Sequence, residues 1–81
     1  MNDEATYAIL EEVFVERCRQ EEKWGYQDHY PGVWSLILSE EVGESAKAAL
    51  EHNAEDYRKE LIQVAAVAVA AIEAQDCKDG K

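Results

Sequence analysis

Two groups of polar side chains interrupt apolar helical patterns in this chain of 81 residues. The first is an acidic group, Glu40, Glu41 and Glu44, and the second is Glu60 with Gln63 three residues later. On helices of about 3.6 residues per turn, Glu41 falls near the middle of an apolar arc and Glu44 at its edge. Glu60 also falls among apolar positions, with Gln63 at the margin beside it. We therefore expect Glu41 and Glu60 to face the core.

A shared divalent cation explains why two helices would turn glutamates inward. Burying an unpaired carboxylate is costly, and none of the 8 basic residues falls within the two apolar arcs. Carboxylate oxygens suit Mg²⁺ or Mn²⁺, and helical bundles build metal sites from such inward acids. The alternative interpretation is an ordinary solvated acidic face, which is common on acid-rich helices.

The apolar spacing predicts three helices and no β-strand, over residues 3–21, 32–52 and 54–75. Pro31 suits the first turn of helix two, Asn53 is a typical N-cap for helix three, and Gly43 within helix two could permit close helix approach. The chain is thus predicted to be one all-α domain, 1–81, with a long helical hairpin formed by helices two and three. One side of helix one carries Tyr7, Leu10, Phe14, Arg17 and Cys18.

Helix three is apolar on nearly all sides, which is typical of a helix buried on both sides. Its main apolar face and a second side cannot both be covered by one hairpin and a short first helix. We therefore predict a homodimer or homotetramer with a four-helix-bundle core and a site near the subunit boundary.

Composition excludes several classes of partner. The net charge of −10, from 18 acids against 8 bases, argues against a nucleic-acid polymer, although it permits a small phosphorylated ligand. The most apolar run, residues 64–72, is too short to span a bilayer. Cys18 and Cys77 predict free thiols in a reducing compartment, so we expect a soluble cytoplasmic protein.

The polar motifs also resemble a known family. The stretch EEVGE at 40–44, followed by KELIQVAAVAVA at 59–70, resembles the MazG-like all-α nucleoside triphosphate pyrophosphohydrolases. That family carries an E-x-x-E motif on one helix and an E-x-x-D motif on the next. Glu41 and Glu44 match the first motif in full, whereas the second reads Glu60-Leu-Ile-Gln63, with glutamine in place of aspartate. The segment 21–44 also resembles the family's approach to the first motif.

The resemblance implies a function. Family members use Mg²⁺ to hydrolyse a nucleoside triphosphate between the α- and β-phosphates, releasing the monophosphate and pyrophosphate. They act as dimers or tetramers of helical bundles, and they often remove non-canonical or excess nucleotides. Carried over, Glu41, Glu44, Glu60 and Gln63 would be the metal ligands. Glu40 could orient or deprotonate the attacking water. The expected partner is a nucleoside triphosphate, with a deoxynucleoside triphosphate as the first candidate.

Further residues are candidate substrate contacts. Lys23 and Lys47 could bind phosphates, with an ordinary exposed lysine as the alternative for each. The loop residues Trp24, Tyr26, His29 and Tyr30 could stack on a nucleobase or line its pocket, with aromatic side chains that close the bundle as the alternative. Two other functions also stay open. One is a non-catalytic oligomerisation or regulatory module, which Gln63 favours, and the other is an enzyme related to phosphoribosyl-ATP pyrophosphohydrolase.

Overall fold

The computed structural model describes residues 3–78, which form three α-helices and no strand. The helices are α1 (Asp3–Trp24), α2 (Pro31–Leu50) and α3 (Ala54–Lys78). The predicted all-α fold is confirmed. Helices α1 and α3 continue past their predicted ends at 21 and 75, whereas α2 ends before 52. In this part of the chain, no helix is both long and apolar enough to cross a membrane.

The connection between α2 and α3 is short because both helix ends are capped locally. His52 adopts a left-handed backbone with φ of 58°, which ends α2. The backbone N–H of His52 donates to the Ala49 carbonyl, and that of Asn53 donates to the Ala48 carbonyl. These two bonds form a Schellman motif and satisfy carbonyls that the helix end leaves unpaired.

Asn53 caps α3 as its sequence position predicts. Its side-chain oxygen accepts a 3.1 Å hydrogen bond from the Asp56 backbone N–H, and its amide nitrogen donates to the Asp56 carboxylate at 2.9 Å. The two residues thus hold the first turn of α3 closed. The turn reverses the chain, so that the end of α2 lies beside the beginning of α3.

The loop between α1 and α2 is fixed at both ends. Gly25, with φ of 74°, ends α1, and its N–H donates to the Glu21 carbonyl. Pro31 occupies the first turn of α2, as predicted. Lys78 at the end of α3 donates to the His29 carbonyl and lies 3.4 Å from an Asp28 carboxylate oxygen. The loop is therefore tied to the far end of α3.

Helix α3 is the centre of the fold, since α1 and α2 each pack against it but, within residues 3–78, not against each other. Between α2 and α3 the buried core consists of Trp34, Val67, Ala70 and Ala74, with Ile37, Leu38 and Ala71 packed against it. Helix α1 contributes only two buried residues, Val13 and Gln20. Arg17 and Arg58 link it to α3 through ion pairs with Glu73 and Glu12, respectively.

Several apolar faces identified in the sequence remain exposed. On α1, Tyr7, Leu10 and Phe14 expose 55–71% of their surface, because the side that meets α3 is the polar one. On α3, Leu61 and Ile72 are 42% and 60% exposed. The helix buries its alanine-rich side instead, where small residues allow α2 to approach. Within residues 3–78, Gly43 does not serve close packing, because apart from its own helix backbone and chain neighbours no atom lies within 4 Å of the position of an added Cβ.

Candidate metal centre

The chain reversal between α2 and α3 brings three carboxyl groups together. Glu41 and Glu44 lie one turn apart on α2, and Glu60 lies in the second turn of α3. One carboxylate oxygen from each of the three lies within 4.8 Å of the others. The two motifs that the sequence singled out therefore form one acidic cluster, which we define as Glu41, Glu44 and Glu60.

The acidic cluster lies at the surface end of the α2–α3 interface, not in a dry core. Glu41 and Glu60 are half-buried, whereas Glu44 is exposed. The prediction that Glu41 and Glu60 face the core is thus correct in direction but too strong in degree. The core cluster of this small fold consists of Trp34, Val67, Ala70 and Ala74 and does not include the acids, although Ser45 and Ala48, beyond the acids on α2, are buried.

The environment of Glu41 disfavours its charge. Partial burial raises the pKa of this carboxyl group, and the nearby charges of Glu44, Glu60, Glu40 and Glu16 raise it further. Glu16 belongs to α1, so that the field at Glu41 comes from all three helices.

The pKa of Glu60 is also raised. Partial burial is the largest cause, followed by the charge of Glu44 and a hydrogen bond between the Glu44 and Glu60 carboxyl groups. The Lys59 charge acts in the opposite direction and lowers the pKa of Glu60. The environments of both Glu41 and Glu60 thus disfavour the charged carboxylate.

Gln63 completes the cluster as a neutral member. With the amide oriented by its surroundings, the Gln63 nitrogen donates to a Glu41 oxygen and to a Glu60 oxygen, both at 3.2 Å. Gln63 lies one turn after Glu60 on α3, so its bond to Glu41 crosses to α2. All four predicted metal-site residues thus lie together.

The donor set fits a small divalent cation. Ligand oxygens about 2.1 Å from Mg²⁺ are at most about 4.2 Å apart, so the cluster needs to contract only slightly. Oxygen ligands are those that Mg²⁺ and Mn²⁺ prefer. A cation would also relieve the mutual repulsion that raises the pKa of Glu41 and Glu60.

A cavity of about 230 Å³ opens beside the cluster. It lies between α1 and α2 with α3 as its floor, and Glu41 and Gln63 form part of its wall. This space exists because α1 and α2 do not pack against each other. The rest of the wall combines charged side chains of both signs with polar, aromatic and apolar ones, principally Arg17, Arg19, Gln20, Glu21, Glu73, Trp24, Tyr26, Trp34, Ile37, Val67 and Ala70.

The two arginines of the cavity are held by acids. The Arg17 side chain is only 15% exposed, and its Nε lies 2.6 Å from a Glu73 oxygen. Arg19 donates to both carboxylate oxygens of Glu16, at 2.8 and 2.6 Å. Both arginines therefore present their guanidinium groups from fixed positions at the cavity.

Two of the predicted substrate contacts, Trp24 and Tyr26, line this cavity. The Lys23 ammonium lies 4.8 Å from the ring centroid of Trp24. His29 instead packs edge-on against Trp34, with the ring centroids 5.1 Å apart. Lys47 is exposed on α2 one turn beyond Glu44. The structure therefore does not bring His29 or Lys47 to the cavity wall.

Sequence reasoning did not identify Arg17, Arg19 and Gln20 as part of the site. A signal existed for Arg17, which stands among apolar residues on one side of helix one. Arg19 and Gln20 also lie on α1, and only the position of α1 across α3 makes them neighbours of Glu41.

Comparison of the chain with known protein families, with curated proteins and with solved structures found no match.

Proposed function

We propose that this protein is a metal-dependent hydrolase that converts a nucleoside triphosphate to the monophosphate and pyrophosphate. A deoxynucleoside triphosphate is the first candidate, and nucleotide-pool clearance in the cytoplasm is the proposed setting. The observation that carries the proposal is the acidic cluster beside a cavity of about 230 Å³ whose wall includes two arginines and several aromatic side chains. The motifs that resemble the MazG-like family support the same reaction.

In this proposal, Glu41, Glu44, Glu60 and the amide oxygen of Gln63 would hold Mg²⁺ or Mn²⁺. Such an ion would neutralise charge on phosphate oxygens and lower the pKa of a water molecule. Glu40 is exposed next to Glu41, and its proposed role is to orient that water and accept its proton. Water adds across the bond between the α- and β-phosphates, and pyrophosphate leaves.

Other residues of the cavity wall would bind the phosphates and the nucleobase. Arg17 and Arg19 offer planar guanidinium groups, which pair well with phosphate oxygens. Trp24 and Tyr26 lie on the same cavity and offer aromatic surface for a nucleobase. The substrate would thus lie along the groove between α1 and α2, with its phosphates towards the acidic cluster.

An exposed apolar side of α3 supports a homo-oligomer. Leu61, Ala65, Ala68 and Ile72 recur at helical spacing along one side of α3, and Leu61 and Ile72 are largely exposed. A second copy packed on this side would complete the proposed four-helix core. Ile72→Asp should lower the molar mass measured by light scattering, whereas Leu36→Asp, at a 68% exposed residue on α2, should not.

A non-catalytic module is the second candidate, and the Gln63 contacts favour it. The amide already links Glu41 to Glu60 without an ion, so the cluster can be part of the structure alone. In that case the protein would keep the helical fold and the oligomer but have no turnover.

The experiment that separates the two is pyrophosphate release from a panel of nucleoside and deoxynucleoside triphosphates in Mg²⁺, Mn²⁺ or EDTA. The enzyme should release pyrophosphate only with metal, and Glu60→Gln should abolish the release. Glu22→Gln is the matched control, because Glu22 is an exposed acid on α1 away from the cavity wall. No release from any substrate under any condition would favour the non-catalytic module.

A further inference from the structure

The last turn of α3 holds the loop between α1 and α2 through several contacts. The Lys78 ammonium group donates to the His29 carbonyl and lies 3.4 Å from an Asp28 carboxylate oxygen. It also lies 5.7 Å from the ring centroid of Tyr30. Three consecutive loop residues thus contact one cation. The Lys78 side chain is only 34% exposed, so these contacts are partly shielded from solvent.

The residue before Lys78 contacts the same loop nearer its start. The side chains of Tyr26 and Cys77 share a hydrogen bond, which raises the pKa of the Tyr26 hydroxyl group. Cys77 and Lys78 are neighbours in the last turn of α3. Together they contact both the first and the second half of the loop, residues 25–30.

The start of this loop is also a wall of the cavity beside the acidic cluster. Trp24, Gly25, Tyr26 and Gln27 follow one another along the chain, and all of them line the cavity. Gly25 has φ of 74°, in a region that glycine enters without strain. The wall is therefore joined to α1 through a residue with a permissive backbone, and its position depends on contacts further along the loop.

Packing alone does not fix the aromatic part of this wall. Helices α1 and α2 do not pack against each other within residues 3–78, so the loop bridges an open space between them. Trp24 and Tyr26 are 53% and 62% exposed. The His29 ring packs edge-on against Trp34 and ties only the later part of the loop to α2. The contacts with the last turn of α3 therefore hold the wall in place.

We propose that Lys78 is a positioning residue for substrate binding, and this inference rests on the proposed function. Lys78 fixes residues 28–30 against the end of α3 and thereby keeps Trp24 and Tyr26 at the cavity wall. It does not itself line that cavity. Loss of its contacts should therefore weaken binding of the nucleobase and leave the cleavage step in place.

Backbone ¹⁵N relaxation of the full chain measures the loop without any need for turnover. In the original chain, the order parameters of residues 26–30 should be close to the value of about 0.85 that is typical of a rigid backbone. In Lys78→Met they should fall towards about 0.6, because the cation is lost. Lys78→Arg should restore most of the order, since the guanidinium group keeps the charge and the N–H donors. Asp28→Asn should have a smaller effect, because the bond to the His29 carbonyl remains.

Lys59→Met is the matched control for the relaxation measurement. It makes the same change at an exposed lysine of α3, nineteen residues or about 28 Å before Lys78. The order parameters of residues 26–30 should stay at their original values in this control. If Lys78→Met leaves them as high as Lys59→Met does, the hold of Lys78 on the loop is refuted.

Pyrophosphate release from each canonical deoxynucleoside triphosphate in Mg²⁺ tests the effect on binding. Lys78→Met should raise KM about threefold to tenfold and change kcat by less than about twofold, and Lys78→Arg should recover most of the lost KM. A purely structural role would instead reduce the amount of active protein and so lower kcat. An unchanged KM in Lys78→Met would overturn the positioning role while the proposed reaction stands. No release from the original chain would overturn the proposed reaction, and the positioning role with it.

Discussion

Replacing Glu41 by glutamine should stabilise the metal-free protein. The change removes one of three negative charges from the acidic cluster and keeps a side-chain oxygen that can still accept the hydrogen bond of Gln63. The volume of the side chain is almost unchanged. The effect should therefore be electrostatic.

The size of this stabilisation follows from the distances between the carboxylate oxygens. At 4.8 Å, two unit charges repel by about 0.9 kcal/mol in bulk water and by about 3.5 kcal/mol at an effective dielectric constant of 20. Glu44 is exposed and its partners are only half-buried, so values near the lower limit apply. We expect the free energy of unfolding to rise by about 1 kcal/mol. In a domain of this size, that raises the melting temperature by about 4–8 °C.

The raised pKa of Glu41 also predicts how the stability gained by Glu41→Gln depends on pH. The pKa of Glu41 is raised above its ordinary value of 4.5, so the folded protein binds that proton more tightly than the unfolded chain does. Stability from this group is complete below the ordinary value and is lost as pH rises through the raised pKa. The advantage of Glu41→Gln should be present at pH 7.5 and absent near pH 4.

Unfolding by urea in EDTA, followed by circular dichroism at both pH values, measures the difference. Glu22→Gln reports the general effect of removing one charge from an acidic protein. Saturating Mg²⁺ should reverse the order, because the original chain gains more from the ion than Glu41→Gln does. Destabilisation by Glu41→Gln at pH 7.5 in EDTA would contradict net repulsion between the cluster carboxylates and would indicate that the Glu41 carboxylate stabilises the fold.

Three further changes test the fold. Gly43→Ala should raise the free energy of unfolding by about 0.5–1 kcal/mol, since the glycine lies inside α2 with open space around it; a loss of stability would mean that another chain packs there. Asn53→Ala should cost about 1 kcal/mol in urea unfolding because the α3 cap is lost, and Asn53→Ser should recover most of it. A double-mutant cycle between Arg17 and Glu73 should give a coupling of about 1 kcal/mol, larger than the about 0.3 kcal/mol expected for the more exposed pair of Arg58 with Glu12; equal couplings would contradict the structure.

The helices could be predicted from local signals, and their packing faces could not. Asn53, Pro31 and the apolar spacing mark the helix boundaries to within a few residues because capping and helix periodicity act within one or two turns. The exposure of Tyr7 and Phe14 depends on how α1 crosses α3, which is fixed by Val13 and by ion pairs from Arg17 and Arg58. The sequence of α1 alone does not show which residues of α3 it contacts.

The acidic cluster was more predictable than the cavity. Glu41, Glu44, Glu60 and Gln63 lie on two helices joined by a short turn, so their wheel positions and the chain reversal suffice to bring them together. Arg19 and Tyr26 approach the same place from α1 and the loop after it, far away in sequence. His29 does not lie on this cavity, because its ring meets Trp34 and lines a separate pocket at the start of α2.

The proposed reaction is metal-dependent cleavage between the α- and β-phosphates at the acidic cluster. Phosphorus NMR of a deoxynucleoside triphosphate mixture, recorded with the protein first in Mg²⁺ and then after excess EDTA, tests this most directly. We expect the monophosphate and pyrophosphate signals to grow at equal rates and to stop growing when EDTA is added. Growth that continues in EDTA, release of diphosphate and orthophosphate instead, or an unchanged spectrum in Mg²⁺ would contradict it.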